Sequence, residues 1–118
     1  RLHYVLTGLP PEPADLKRAE SYEESVERLL NSPHYGEQWA RRWMDIVRFA
    51  ETRGYEWNYE IAGAWRYRDY LIRAFNADLP YDQFIREQIA GDLLPQPRRN
   101  AAEGINESVI GTAFYRLG

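Results

Sequence analysis

The clearest structural pattern in this chain lies in residues 33–51, whose sequence is PHYGEQWARRWMDIVRFAE. Its apolar residues recur every three or four positions, which is typical of one face of an α-helix: Tyr35, Trp39, Trp43, Ile46, Val47 and Ala50. Ser32 is a suitable N-cap and Pro33 a suitable first helical residue. We therefore predict a long helix that ends at Thr52-Arg53-Gly54, held in place by its bulky Trp side chains.

Comparable signals predict helices before this stretch. Pro13 suits a first helical turn, so we expect a short helix from Pro13 to Ala19. Ser21 and Glu24 have the spacing of a capping box, which predicts a second helix that ends at Asn31-Ser32-Pro33.

Gly and Pro separate further predicted helices after it. We expect helices over Ala64 to Ala77 and Tyr81 to Ala90, the latter with Phe84, Ile85 and Ile89 on its core face, and a last one over Ser108 to Leu117. The polar segment from Arg98 to Asn106 is expected to be mobile. The fold class predicted is all-α, a compact orthogonal bundle of about five helices, with one core formed by Trp39, Trp43, Trp65, Phe75 and Phe84.

The interval between residues 55 and 61 departs from helical spacing. Tyr55, Trp57 and Tyr59 alternate with Glu56, Asn58 and Glu60, and this period of two predicts an extended segment. Its aromatics are our predicted ligand-binding residues, because Tyr55, Trp57 and Tyr59 can stack on a sugar ring or on side chains of a partner, with Glu56 supplying hydrogen bonds. The alternative is that they anchor an irregular segment to the core.

Charged residues form a second stripe beside the aromatic one. Arg41, Asp45 and Arg48 lie at helical spacing, and Arg68 and Asp69 follow in the next predicted helix. We interpret these five residues as a structural ion network between the two helices, in which Asp45 pairs with Arg48 or Arg41 and Arg68 is a further partner. The alternative is a catalytic site, for which Asp45, Glu51 and Asp69 are weak candidates as acid and base.

Composition narrows the classes of function. The chain has 118 residues, enough for a single helical domain with its own core. It has no Cys, which excludes disulfides and covalent c-type haem attachment, and a net charge of -3, which argues against nucleic-acid binding. We expect no metal site, because His3 and His34 are the only imidazoles. No apolar run approaches the roughly 20 residues of a membrane span. Since Met44 is the only Met, we interpret the chain as a segment of a longer multidomain protein.

Several strings resemble a known family, the planctomycete cytochrome-associated second domain, which is a domain of unknown function. They span nearly the whole chain and run in this order: Leu6-Thr7-Gly8-Leu9-Pro10-Pro11, Ser32-Pro33-His34-Tyr35-Gly36-Glu37, Trp43-x-Asp45-x-x-Arg48-Phe49-Ala50-Glu51, Trp65-Arg66-x-Arg68-Asp69, Phe75-Asn76-x-Asp78-Leu79-Pro80-Tyr81-Asp82-Gln83-Phe84, Ala90-Gly91-Asp92-Leu93-Leu94-Pro95 and Arg116-Leu117-Gly118. Two departures are visible, since Val5 stands where the family usually has Asp and Arg42 where it often has His.

The resemblance implies which domains accompany this one and where the protein is located, but it implies no activity. The family's domain commonly follows a c-type cytochrome-like domain in proteins that look exported. The resemblance therefore implies a periplasmic or cell-surface location, with adjacent domains of the same polypeptide as partners. It also implies haem in a neighbouring domain and no cofactor in this chain.

Three functions remain open at this point. The first is a binding or scaffold domain that positions a cytochrome-like neighbour or recognises a surface glycan or protein. The second is a carboxylate-based hydrolase or lyase acting on polysaccharide, and the third is an electron-transfer accessory domain. No motif in the sequence chooses among them.

Overall fold

The computed structural model describes residues 1–54 and 56–116. Its α-helices are α1 (Leu2–Leu6), α2 (Tyr22–Leu30), α3 (Pro33–Ile46), α4 (Trp65–Asn76), α5 (Tyr81–Ala90) and α6 (Glu107–Gly111). Single 3₁₀ segments cover Asp15–Lys17 and Thr112–Arg116, and the strands β1 (Arg99–Asn100) and β2 (Ile105–Asn106) form a short antiparallel hairpin. The expected predominance of helix is confirmed, whereas the orthogonal arrangement of the bundle stays a prediction.

Local sequence signals located several helices well. Ser21 and Glu24 form the predicted capping box, with the Glu24 amide donating to Ser21 Oγ at 3.1 Å and the Ser21 amide donating to Glu24 Oε2 at 2.7 Å. Helix α5 has the predicted bounds, and α4 lies one residue inside them at each end. The helix predicted from Pro13 to Ala19 is wrong, because only the 3₁₀ turn Asp15–Lys17 forms there.

Helix α3 is shorter than predicted. It ends at Ile46 because Arg48 adopts a left-handed conformation, with φ of 58°. The Phe49 amide then donates to the Met44 carbonyl at 3.0 Å, which closes the last turn. Residues 47–51 consequently leave the helix, and the polar stripe predicted along it is interrupted.

The core lies mainly between α3, α4 and α5. Its buried residues include Ala40 on α3, Tyr67, Tyr70 and Leu71 on α4, and Phe84 on α5. These buried tyrosines give the core hydroxyl groups that require partners.

Two of the helices approach each other closely at Gly36 on α3. A Cβ there would overlap the Ile72 carbonyl oxygen on α4. The Asn76 side chain joins the same helices, because it accepts a hydrogen bond from the Gly36 amide at 2.8 Å and donates one to the Pro33 carbonyl at 3.0 Å. This contact fixes the start of α3 against the end of α4.

The predicted core is partly wrong. Phe84 is buried, and Trp39, Trp43 and Phe75 are half-buried, but the side chain of Trp65 is 51% exposed. On α5, Ile89 is exposed, and the buried residues are Phe84, Glu87 and Gln88. Polar residues therefore occupy core positions that the apolar pattern alone would assign to Ile.

Candidate functional sites

The aromatic loop, residues 51–61, follows α3 as a narrow hairpin. Thr52 and Glu60 form an antiparallel bridge, the Arg53 amide donates to the Tyr59 carbonyl at 3.0 Å, and the Ile61 amide donates to the Glu51 carbonyl at 2.8 Å. The extended segment that the alternation predicts is observed only at residues 59–61, which form one arm of this hairpin. It is wrong for residues 56–58, because Glu56 and Trp57 lie in a turn and Asn58 has a φ of 32°. Tyr55 lies outside the described residues.

The aromatic side chains of this loop point away from the core. Trp57 is 72% exposed and Tyr59 is 64% exposed, while Glu56 is exposed beside them. The alternative in which these aromatics anchor the loop to the core is therefore wrong for Trp57 and Tyr59. Their predicted role in ligand binding stays a prediction.

A further aromatic, Trp65, lies at the base of the loop. It lines a shallow cleft of about 300 Å³ together with Glu51, Thr52 and Glu60. The Arg66 guanidinium carbon lies 5.5 Å from the centre of its ring. The sequence contains one signal for the exposure of this side chain. Trp65 is the first residue of α4, directly after Gly63 and Ala64, so no earlier turn of the same helix packs against it.

The predicted ion network forms only in part. Arg68 Nη1 lies 3.2 Å from Glu51 Oε1, and Arg68 Nε lies 3.0 Å from Asp69 Oδ1. Asp45 is exposed and forms no salt bridge with any described residue, so its predicted pairing with Arg41 or Arg48 is wrong. The left-handed turn at Arg48 removes that residue from the helical face on which it would have met Asp45.

A second ion network, which the sequence analysis did not identify, is buried between α5 and α6. Glu87 is fully buried, and its carboxylate accepts hydrogen bonds from Arg98 Nε at 3.1 Å, Arg98 Nη2 at 3.0 Å, Ser108 Oγ at 3.0 Å and Tyr70 Oη at 2.9 Å. Nearby, buried Glu107 accepts from Arg73 Nε at 2.6 Å. Because both carboxylates are satisfied by fixed donors, the arrangement is structural.

Tyrosine hydroxyls extend this network toward α3. Tyr67 Oη accepts from Trp43 Nε1 at 3.2 Å and donates to Gln88 Oε1 at 2.6 Å. Burial raises the pKa of Tyr67 to about 12, although the bond from Trp43 acts in the opposite direction. Burial raises the pKa of Tyr70 further, and the negative charge of Glu87 adds to that effect. Both phenols are therefore neutral donors at physiological pH.

A second concave surface is the aromatic cleft, of about 550 Å³, between α3 and the corner that joins α4 to α5. Its lining residues are predominantly apolar: Tyr35, Trp39, Trp43, Ile46, Ala74, Phe75, Leu79, Pro80, Tyr81 and Phe84, with Arg42 and Asp78 as the charged members. Trp43 meets Phe84 edge to face at a centroid distance of 4.8 Å, and Phe75 lies 5.5 Å from Phe84. These contacts give the cleft a packed aromatic floor.

One buried polar atom at this cleft lacks a partner. The indole N–H of Trp39 is buried and makes no hydrogen bond with any described residue, whereas that of Trp43 is satisfied by Tyr67. The Arg42 guanidinium carbon lies 4.9 Å from the centre of the Trp39 ring. Unsatisfied buried donors are rare in folded proteins, so Trp39 is a position where folding alone does not explain the geometry.

The fold and these surfaces define a small, mainly helical domain with an exposed aromatic loop and a separate aromatic cleft. Compared with models of protein families, residues 1–118 match PSCyt2, described as a protein of unknown function (DUF1549), and the chain therefore belongs to that family. This confirms the resemblance seen in the sequence motifs. Comparison with curated proteins and with solved structures gave no match.

Two features are absent from the residues that the structure describes. These residues contain no group of three or more His, Cys, Asp or Glu residues placed to hold a metal ion. None of their helices is both long enough and apolar enough to cross a membrane.

Proposed function

We propose that this chain is a binding domain that recognises a glycan through the aromatic loop and Trp65. The observation that carries the proposal is the exposure of Trp57, Tyr59 and Trp65, each more than half accessible, around one loop and its base. Large aromatic side chains are costly to leave in water, and their flat faces are suited to stacking on the C–H face of a sugar ring.

The base of the loop supports this proposal because it is held at both ends. The Thr52–Glu60 bridge closes the hairpin, and the Glu51–Arg68 salt bridge ties its first residue to α4. A binding surface that is already ordered loses less conformational entropy when a ligand binds. The side chains of Glu51 and Glu60 in the shallow cleft are acceptors for sugar hydroxyl groups.

The charges of the loop favour one class of glycan. It contains Glu51, Glu56 and Glu60, whereas Arg53 is its only cation and Arg68 on α4 already pairs with Glu51. A polyanionic polysaccharide would be repelled by these carboxylates. We therefore propose a neutral or amino-sugar polymer as the ligand.

We further propose that the domain is part of a longer protein, in which it acts as a scaffold at the cell surface or in the periplasm. It would hold a cytochrome-like neighbour, which carries any haem, close to the bound glycan. The hydrolase or lyase function and the electron-transfer function stay predictions. For the former, Glu51 and Asp69 share Arg68, while Asp45 does not join them.

Affinity electrophoresis in gels that contain soluble polysaccharides tests the glycan proposal. We expect xylan, hydroxyethyl cellulose or chitosan to retard the chain, alginate to have no effect, and Trp57→Ala or Trp65→Ala to abolish the retardation. Tyr22→Ala is the matched control, because Tyr22 is also exposed but lies on α2. Absence of retardation by every neutral and amino-sugar polymer, or equal retardation of Trp57→Ala and the control, would refute the proposal.

A further inference from the structure

We propose that the aromatic cleft is a second site, independent of the aromatic loop, that docks an amphipathic helical segment of a partner protein. The segment would insert apolar side chains into the cleft. One of its acidic side chains would pair with Arg42, and one of its basic side chains would pair with Asp78. This interaction goes beyond glycan recognition and uses different residues.

The size and lining of the cleft favour an apolar occupant. Its volume of about 550 Å³ lies within the usual range of binding pockets, roughly 300–1,000 Å³. At its rim, Ile46 and Tyr81 are each 70% exposed, although both are large and apolar. Few polar groups are available to replace the water around sugar hydroxyls, so a protein segment fits this surface better than a glycan does.

Asp78 at the edge of the cleft is poorly suited to its place in the fold. It occupies the position after the C-cap of α4 with φ of 47°, a conformation that favours Gly. The Leu79 amide donates to the Ala74 carbonyl and the Asp78 amide to the Phe75 carbonyl, both at 3.1 Å, which is the Schellman arrangement. A carboxylate here also faces the negative end of the helix dipole. Folding would be better served by Gly, so the carboxylate is best explained by an external partner.

Arg42 is the complementary charge. Its guanidinium stacks over Trp39, which orients the group while leaving its N–H donors available. Among the described residues, neither Arg42 nor Asp78 forms a salt bridge. A cleft with one unpaired cation, one unpaired anion and an apolar floor is complementary to an amphipathic helix with flanking charges of both signs.

The concave shape of the cleft favours a helical segment of a partner over a second copy of the chain as the occupant. Two identical clefts placed face to face would enclose a void, whereas a convex helix fills one cleft. The Trp39 indole N–H, which has no hydrogen-bond acceptor among the described residues, also fits such a partner. The bound segment would shift the indole and accept a hydrogen bond from this N–H. We therefore commit to a helical segment and treat self-association as an outcome that the experiment must distinguish.

The test is a phage-display selection with random peptides of about 15 residues, which is about four helical turns. The 118-residue chain is the target, and Ile46→Asp/Arg42→Glu is used for counter-selection. We expect enriched peptides with apolar residues at helical spacing and flanking charges. Fluorescence anisotropy of one labelled peptide should show dissociation constants raised by about tenfold or more for Ile46→Asp and for Arg42→Glu, and no change for the loop variant Trp57→Ala.

Three results would overturn the proposal. One is a selection that enriches no peptide dependent on Ile46 and Arg42. Another is enrichment of peptides without a helical apolar pattern. The third is sedimentation of the chain as a dimer that Ile46→Asp converts to a monomer, since the occupant would then be a second copy. Circular dichroism of Ile46→Asp and Arg42→Glu must match the parent, and Asp78→Asn provides an independent variant if either fails to fold.

Discussion

Arg98 donates two parallel hydrogen bonds to Glu87, from Nε at 3.1 Å and from Nη2 at 3.0 Å, and the accepting carboxylate is fully buried. Arg98 lies before β1, in a segment expected from its polarity to be mobile, whereas Glu87 lies in the middle of α5. This pair therefore attaches the C-terminal part of the described chain to the helical core. Ser108, which donates to the same carboxylate and accepts from the Arg98 amide at 2.8 Å, completes the attachment.

The first prediction is that Arg98→Met destabilises the fold by about 3 kcal/mol, because it leaves a buried carboxylate without its cation. Chemical denaturation measures the loss. Arg86→Met is the matched control, since Arg86 on α5 pairs with Asp82 at an exposed site and should contribute less than about 0.5 kcal/mol. Equal stabilities of the two variants would show that the Arg98–Glu87 pair makes no net contribution.

The second prediction concerns the contact of α5 with α6. A Cβ on Gly91 would overlap the Ser108 carbonyl oxygen, and one on Gly111 would lie 2.7 Å from the Glu87 carbonyl oxygen. Gly91→Ala should therefore force the two segments apart and destabilise the fold by about 3 kcal/mol in urea unfolding. Gly54→Ala is the control, because it meets no atom within 4 Å and its φ of 63° should cost only about 1 kcal/mol. The reverse order would contradict the packing described.

The local parts of the fold were predictable because their causes are local. The capping box at Ser21 and the bounds of α5 depend on residues a few positions apart, and both are observed. The end of α3 was not predictable in the same way. The residue that adopts a left-handed conformation after a helix is usually Gly, but here it is Arg48. The apolar pattern, which continues through Val47 and Ala50, predicts a longer helix.

Longer-range relationships explain the remaining differences. Trp65 was assigned to the core from the pattern of helical stripes, yet it is the first residue of α4 and is 51% exposed. Glu87 and Gln88 are buried, although the predicted core face of α5 comprised only Phe84, Ile85 and Ile89. Their burial depends on Arg98 and Tyr67, and no spacing rule links residues so far apart in sequence. The cleft likewise depends on the close approach of α3 to α4 at Gly36.

A third prediction follows from the two left-handed residues after α3 and α4. Arg48→Gly and Asp78→Gly should each raise the free energy of unfolding by about 1 kcal/mol, because Gly adopts this conformation without a steric penalty. Ala77→Gly is the control, since Ala77 has φ of -85° and gains nothing from Gly. A loss of stability in Asp78→Gly would show that the carboxylate serves the fold, which would also weaken the case for its role in docking.

The fourth prediction concerns acid. The hydrogen bond from Arg28 lowers the pKa of Glu20 from 4.5 to about 2, with burial acting in the opposite direction. The folded state therefore binds the proton of the Glu20 carboxyl less tightly than the unfolded state does. The contribution of Glu20 to the free energy of unfolding is complete above pH 4.5 and is lost as pH falls toward about 2. Thermal melts across that interval should show a shallower decline for Glu20→Gln than for the parent. Glu23→Gln, on the exposed first turn of α2, should decline like the parent.

The fifth prediction concerns alkali. Burial raises the pKa of Tyr67 from 10.0 to about 12, and that of Tyr70 also rises because of burial and the adjacent Glu87 charge. The unfolded chain therefore releases these protons at lower pH than the folded chain does. The sign of the linkage means that the stabilisation is complete below pH 10 and is lost as pH rises through about 12.

Phenolate absorbance and circular dichroism, recorded together during an alkaline titration, measure this effect. The phenolate absorbance of Tyr67 and Tyr70 should appear together with the loss of helical signal, because both hydroxyls are buried in the folded chain. Tyr67→Phe should lower stability at neutral pH, because the Trp43 N–H loses its acceptor and Gln88 Oε1 loses its donor, yet it should reduce the dependence of stability on pH above 10. Tyr22→Phe, at an exposed site, should change neither. Complete ionisation of every tyrosine in a chain that keeps its helical signal would show that the Tyr67 and Tyr70 hydroxyls are accessible and that the buried network does not hold them neutral.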